Sequence, residues 1–515
     1  MRVLEPSFFY FRFMQTFRYL SAAIIILLSF TSQATTGYSS RCQKAHANIL
    51  CLRFEEAQTL IREEIKQNPE NTQPYLLENY IDFLTVMIGE QEEDYARLKQ
   101  QRNRRLAKLA SGDASSPWYR YSQAMVYMQC GFARVKFRDF VTAGVELNQA
   151  YKLLEENNRR FPEFLPDKVC LGLLHSLIGT VPDNYRWAVR TLKFRGTIRQ
   201  GLSELQTAFH QSARNPEFSF LYPESAFLLA FTSINLAGNH DATAGFIAEA
   251  GKQPLQQWIH DSPLMCYALA NVYLKTGEND KAISLLKGRV QGKGIYPFYY
   301  QDYILGVAKL NRLDKDANIP LLTFVANFKG LNYIKSAYQH IAWYYFINGD
   351  MTKYRLYVNR IPLRGNVQVD NDREAMRFAE KKAEQNIHLL KARLLFDGGY
   401  YERAMSEIQN FEARAGNTPQ REIVECTYRK GRIYDEWGKD DLAIPAYQSV
   451  INLGNNQPWY YAANASLQLG MIYENRHDEK MARYYFNKCL SLNFEEYHFS
   501  ITHKAKAGLN RLDNK

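Results

Sequence analysis

Glycine and proline are scarce in this 515-residue chain, at 28 and 17. Loop-rich β architectures and collagen-like repeats need far more of both, so the composition favours helix. Cysteine is scarce too. The seven residues Cys42, Cys51, Cys130, Cys170, Cys266, Cys426 and Cys489 are scattered, with no C-x-x-C pair and no Cys/His cluster at zinc spacing. Their odd number leaves at least one thiol unpaired within an exported chain, and Cys42 and Cys51 are the two that could pair. The catalytic fingerprints H-E-x-x-H, G-x-S-x-G, the P-loop and the dinucleotide motif are all absent. The ten histidines are dispersed, and His175 falls on the apolar run LGLLHSLIG, which reads as core. Glu63-Glu64 and Glu92-Glu93 are adjacent on helical sequence, so they are expected to point apart into solvent. No metal and no cofactor is expected, and the chain reads as non-enzymatic.

What is present begins with size. A chain of this length with 46 % hydrophobic residues exceeds one core, so several domains or an array are expected. The net charge is +11, but Lys and Arg are interleaved with Asp and Glu. In the basic run Arg186–Arg199, Arg186, Arg190 and Lys193 share one helical face while Arg195 and Arg199 fall opposite. That split does not track a phosphate backbone, so no nucleic-acid partner is expected. Anionic lipid or an acidic polymer stays open, as does peripheral membrane contact.

The longest apolar run lies near the N-terminus, from Leu20 to Phe30, after Arg18 and before Ser32-Gln33-Ala34. It is short for a bilayer span and ends at a peptidase-type site, so residues 1–34 read as a secretory signal peptide, with an uncleaved anchor as the rival. Met14 is an alternative start. The first Cys, Cys42, is too far on for a lipid-anchored N-terminus.

A recurring pattern organises the rest. In GRIYDEWGKDDLAIPAY, Gly431, Tyr434, Ala443 and Tyr447 stand at offsets 0, +3, +12 and +16; Gly470, Tyr473, Ala482 and Phe486 repeat those offsets. Ala392, Leu395, Ala404 and Ile408 follow them, as do Ala270, Tyr273, Ala282 and Leu286. Ala230, Ala242 and Phe246, and copies headed by Gly306 and Ala342, fit less fully. Ala57 and Ile61 supply half of a further copy near the start. Small residues where helices cross and large ones in the gap between hairpins make a helical hairpin that must stack on its neighbours.

These residues resemble the tetratricopeptide repeat family. The resemblance implies an all-α fold, an α-solenoid of stacked hairpins with a less regular helical N-terminal third. The expected organisation is a signal at 1–34, degenerate helical repeats at 35–215, a sub-array at 216–359, a loop or break at 360–379 and a C-terminal array at 380–515. Within the middle segment, Gly196, Arg199, Gly201 and Leu202 in FRGTIRQGLSEL are distantly similar to an element of the eukaryotic Iml2/TTC39 group.

The family turns set positions of each first helix into a concave groove. Carried onto this chain, those positions are Tyr267, Asn271, Tyr300, Tyr303, Trp343, Phe346, Arg393, Phe396, Tyr428 and Arg432. Aromatic rings beside Asn and Arg suit peptide recognition, with a glycan as the alternative ligand. The Lys-then-Asn clamp for a C-terminal carboxylate is missing, because Tyr267 stands where Lys would be needed. The expectation is a protein-binding scaffold of the cell envelope, periplasmic or associated with the outer membrane.

Overall fold

The computed structural model describes residues 38–181, 189, 193–237, 240–381, 385–414, 416 and 418–513. The expected signal, Arg186 and Arg190 lie outside these residues. In chain order the helices are α1 (Ser40–Leu50), α2 (Phe54–Gln67), α3 (Gln73–Gly89), α4 (Glu92–Ala110), α5 (Pro117–Lys136), α6 (Phe140–Arg160), α7 (Leu165–Gly179), α8 (Ile198–Arg214) and α9 (Tyr222–Thr232). There follow α10 (His240–Ala250), α11 (Leu255–Asp261), α12 (Pro263–Lys275), α13 (Asn279–Lys287), α14 (Tyr300–Asn311), α15 (Asn318–Asn327), α16 (Ile334–Ile347), α17 (Met351–Arg360) and α18 (Asp370–Lys381). The last are α19 (Ile387–Asp397), α20 (Tyr401–Glu412), α21 (Gln420–Glu436), α22 (Asp440–Gly454), α23 (Tyr461–Asn475), α24 (Glu479–Ser491) and α25 (His498–Asp513). No β-strand occurs among the described residues. The fold is all-α.

The helices fall into two compact units. The first runs to Val307 and adds Asn318–Ala342 and Arg355–Glu380; the second is Ala308–Ala317, Trp343–Tyr354 and the chain from Lys381. In the first, α1 pairs with α2, α3 with α4, α5 with α6, α7 with α8 and α12 with α13. In the second, α19 pairs with α20, α21 with α22 and α23 with α24, and α25 closes the series.

One local device builds most of the hairpins. In the copies headed by 270, 306, 342, 392, 431 and 470, the residue seven places on has a positive φ: Gly277, Leu313, Gly349, Gly399, Gly438 and His477. The next residue's N–H then bonds back five places, as in Tyr400 to the Leu395 carbonyl (2.8 Å), Lys439 to Tyr434 (2.8 Å) and Asp478 to Tyr473 (2.9 Å). This is the left-handed C-cap that ends one helix and aims the next antiparallel to it. The crossing residues behave as their spacing predicts. A Cβ on Gly431 would lie 2.8 Å from the Tyr447 ring, and one on Gly470 would lie 2.5 Å from Phe486. Ala392, Ala404, Ala270 and Ala282 are buried.

The same device extends the series into the N-terminal third. Leu52 has φ 56 and the Arg53 N–H bonds to the Asn48 carbonyl, which makes buried Ala45 the head of the copy containing Ala57 and Ile61. Arg138 has φ 68 and the Asp139 N–H bonds to Arg134, which makes Gly131 the head of another, with Ala143 and Leu147 at +12 and +16. A Cβ on Gly131 would lie 2.8 Å from Leu147.

Two expectations are corrected. Glu64 is not solvated: it is buried and accepts from Arg41, Asn68 and Asn71. The segment 360–379, expected as a break, is half helix, since α18 begins at Asp370 and buries Asp372 and Ala375. The pairing of Cys42 and Cys51, left open by the sequence, is answered by geometry: both are free and buried, as are the other five cysteines. His175, by contrast, is buried as the sequence indicates, with Nδ1 2.6 Å from Glu204.

The first unit also holds a buried charge that its sequence does not announce. Glu90, in the left-handed conformation just past α3, accepts from the Leu331 and Asn332 N–H groups at 2.9 Å and pairs with Lys136 at 2.6 Å. Burial pushes its carboxyl up, but Lys136 together with the hydrogen bonds from Tyr300 and Asn332 outweighs burial and holds it below the usual range. One carboxylate thus ties the end of α3 to the turn before α16.

Candidate functional site

The second unit contains a recess of about 170 Å³ lined by Arg393, Phe396, Asp397, Tyr428, Arg429, Arg432, Tyr460 and Tyr497. Its walls come from the first helices of successive hairpins. Positions 393, 396 and 397 are i, i+3 and i+4 on α19, and on α21 Arg432 lies three and four places after Arg429 and Tyr428, so each triplet lies along one side of its helix. Tyr460 stands just before α23 and Tyr497 just before α25.

Three guanidinium groups meet there, each held differently. Arg429 donates through Nε to Glu425 at 2.8 Å, while the Tyr461 hydroxyl donates to the other Glu425 oxygen at 2.9 Å. Burial raises the Glu425 carboxyl, yet Arg429 and Tyr461 overcome it and keep it below the usual range. Arg432 lies over the Phe396 ring at 5.2 Å and donates to Glu436 at 2.9 Å. Arg393 lies over the Trp343 ring at 5.1 Å, and its Nε is 3.8 Å from Asp397. Asp397 and Glu436 are 45 % and 50 % exposed, whereas Glu425 is 20 % exposed, so the first two pairs are screened by solvent and the third is not.

The rings form a connected set behind these cations. Tyr428 meets Tyr460 and Tyr461 at 5.7 and 5.3 Å, and Tyr460 meets Tyr497 edge-on at 5.0 Å. The Tyr428 hydroxyl accepts from Asn464 at 2.7 Å. Burial pushes the Tyr460 phenol well up, so it stays a neutral donor. The recess therefore offers flat apolar walls, a phenol and two cations whose present partners are easily exchanged.

Of the residues picked from the sequence, Arg393, Phe396, Tyr428 and Arg432 are brought together here, with Trp343 beneath Arg393. Those of the first unit are not presented to a ligand. Tyr267, Tyr300 and Tyr303 are 8 %, 2 % and 5 % exposed, because Tyr300 donates to buried Glu90 and Tyr303 bonds Ser336 at 2.9 Å in the interior. Asn271 is half-buried and donates to its own helix at the Tyr267 carbonyl. They are packing residues. Arg429, Asp397, Tyr460 and Tyr497 were missed; the doublet Tyr460-Tyr461 is the one sequence signal that could have found any of them. Among the described residues no group of His, Cys, Asp and Glu could hold a metal ion.

A family profile, the tetratricopeptide repeat, matches residues 424–456 and 463–496. The first match runs from within α21 to just past α22, and the second from within α23 to just past α24. Both hairpins match that repeat. The tetratricopeptide match does not extend to the middle segment, and nothing found links that segment to the Iml2/TTC39 group. No curated protein matches the chain. Among solved structures, a chain from the crystal structure of the APC/C hetero-tetramer Cut9–Hcn1 aligns over 96 % of this chain and 98 % of that one. Its identity is 10 % and its TM-score 0.22, too low for any inference about this chain.

Proposed function

We propose that the C-terminal tetratricopeptide array is a protein-binding scaffold that grips an extended segment of a partner, seating an acidic side chain between Arg393 and Arg432. The observation that carries this reading is the convergence of those two exchangeable guanidinium groups with Tyr428, Tyr460 and Tyr497 around one recess. An incoming carboxylate replaces Asp397 or Glu436 at small cost, since those pairs are half-solvated, and gains a charge-assisted contact against aromatic walls. Repeats of this family are typically binding modules, and the scaffold performs no catalytic step.

A glycan is supported less well. Trp343, the ring expected to carry stacking, is 3 % exposed under Arg393, which leaves Tyr460 and Tyr497 as the stacking surface. We further propose an exported location in the cell envelope, on the strength of the leader sequence.

The test is in-cell crosslinking of the tagged full chain with mass spectrometry of what co-purifies, followed by titration of the captured partner. Arg432→Ala is expected to weaken that partner by about 30-fold, the scale of a central interface residue. A partner retained equally by Arg432→Ala and Arg393→Ala would place the interface elsewhere. Binding to soluble oligosaccharide with no protein captured would transfer the recess to glycan recognition.

A further inference from the structure

A second surface, in the first unit, has a different chemistry. Residues 318–342 and 355–369 contain five cations, Lys329, Lys335, Arg355, Arg360 and Arg364, and not one Asp or Glu. In a chain that interleaves its charges, forty residues free of carboxylate stand out. The two segments are bonded together. Arg364 donates to the Val325 and Phe328 carbonyls, the Asn366 N–H donates to Leu331 at 2.9 Å, and Lys335 donates to the Ile361 carbonyl at 2.9 Å.

That bonding holds a short turn outward. Leu363 is 79 % exposed, with Val367 at 42 % and Leu356 at 46 %, and Pro362 is exposed beside them. Arg355, Arg360 and Lys329 are exposed on the same two segments and make no ion pair with a carboxylate among the described residues. Arg360 lies over the Tyr357 ring at 5.1 Å. The nearest acids along the chain are already engaged: Asp370 pairs with Arg373, and buried Asp372 accepts the Tyr333 and Ser336 N–H groups.

We infer that this face, Arg355 to Val367 with Lys329, docks on an anionic lipid surface. Leu363 and Val367 protrude singly from a turn fixed by bonds to backbone carbonyls, and Leu356 from α17 before it, which suits insertion among headgroups. A protein hot spot is instead a packed pocket with aromatic anchors. The unpaired cations supply the complementary charge, and each cation near an anionic bilayer adds about fivefold to partitioning. Nothing in this inference depends on the recess of the second unit.

The test is co-sedimentation of the full chain with phosphatidylglycerol–phosphatidylcholine vesicles. Arg355→Gln/Arg360→Gln is expected to lower partitioning by about 30-fold, and Leu363→Ser to weaken it several-fold. Binding should fall steeply with added salt. Both variants change exposed side chains, so their thermal melts should match the parent. A retained leader adds equally to parent and variants and leaves their difference intact. Variants that bind these vesicles as the parent does, or binding insensitive to salt, would overturn the inference. So would loss of a co-purifying protein in Arg355→Gln/Arg360→Gln with vesicle binding unchanged, which would make the face a protein interface.

Discussion

Phe486 sits between two glycines. A Cβ on Gly470 would lie 2.5 Å from its ring, and one on Gly508 would lie 2.4 Å away. The ring is fully buried and cannot retreat from both sides. Gly→Ala in a helix normally gains about 1 kcal/mol, but overpacking a filled core costs about 1–3 kcal/mol. Gly470→Ala is therefore expected to lower the stability of the C-terminal array, as is Gly431→Leu against Tyr447. His477 gives the opposite case. It holds φ 60 at the place where the preceding hairpins use Gly399 and Gly438, and its side chain is exposed. Left-handed backbone costs a residue with a Cβ about 1 kcal/mol, so His477→Gly should raise stability by about that much. Urea midpoints of the two variants moving in opposite directions would support the register. A Gly470→Ala midpoint equal to the parent's would mean that the helices do not cross at Gly470.

At the scale of elements, what could be read in advance followed from local geometry. The offsets at Gly431, Gly470, Ala392 and Ala270 were visible because each fixes a crossing inside one hairpin, and a small residue there has no substitute. The copy headed by Gly131 escaped notice because its +3 position is the charged Arg134, where the full copies carry Tyr or Leu; the turn at Arg138 reveals it. The groove was legible in the second unit and not in the first. The same repeat positions hold Tyr300 and Tyr303, but distant residues Glu90 and Ser336 bond their hydroxyls in the interior. Long-range partners leave no trace in spacing. Helix α16 illustrates the point, because its N-terminus is capped from another element: Asp372 accepts the Tyr333 N–H at 2.6 Å and the Ser336 N–H at 2.9 Å. Burial raises the Asp372 carboxyl from 3.8 to about 7, against those two bonds. The folded state thus keeps a proton that the unfolded state has lost. The contribution is fully present below about pH 4 and disappears as pH rises towards 7. Asp372→Asn removes that dependence while giving up one acceptor. Between pH 5 and 7 the parent should lose stability relative to Asp372→Asn, by a few kcal/mol at most. A constant difference between the two urea midpoints would mean that the carboxyl stays ionised throughout.

At the scale of the whole molecule, the question is where a chain with these surfaces works. Among the described residues no helix is long and apolar enough to cross a membrane. The proposed address rests on the leader, Arg18, the run Leu20–Phe30 and Ser32-Gln33-Ala34. Removal of residues 1–34 takes away Arg2, Arg12, Arg18 and Glu5, so the remaining chain keeps a basic balance suited to an anionic surface. Seven buried thiols are compatible with an oxidising compartment as well as a reducing one, because burial pushes Cys42, Cys51 and Cys489 up to about 12 and shields them from exchange. The leader can be examined directly. Mass spectrometry of the N-terminus after envelope fractionation should find a chain beginning at Thr35 in the exported fraction. A chain retaining Leu20–Phe30 in the membrane fraction would make the leader an anchor. Recovery of the intact chain from the cytoplasm would remove the envelope proposal, and it would leave the recess of the second unit to be matched with a cytoplasmic partner.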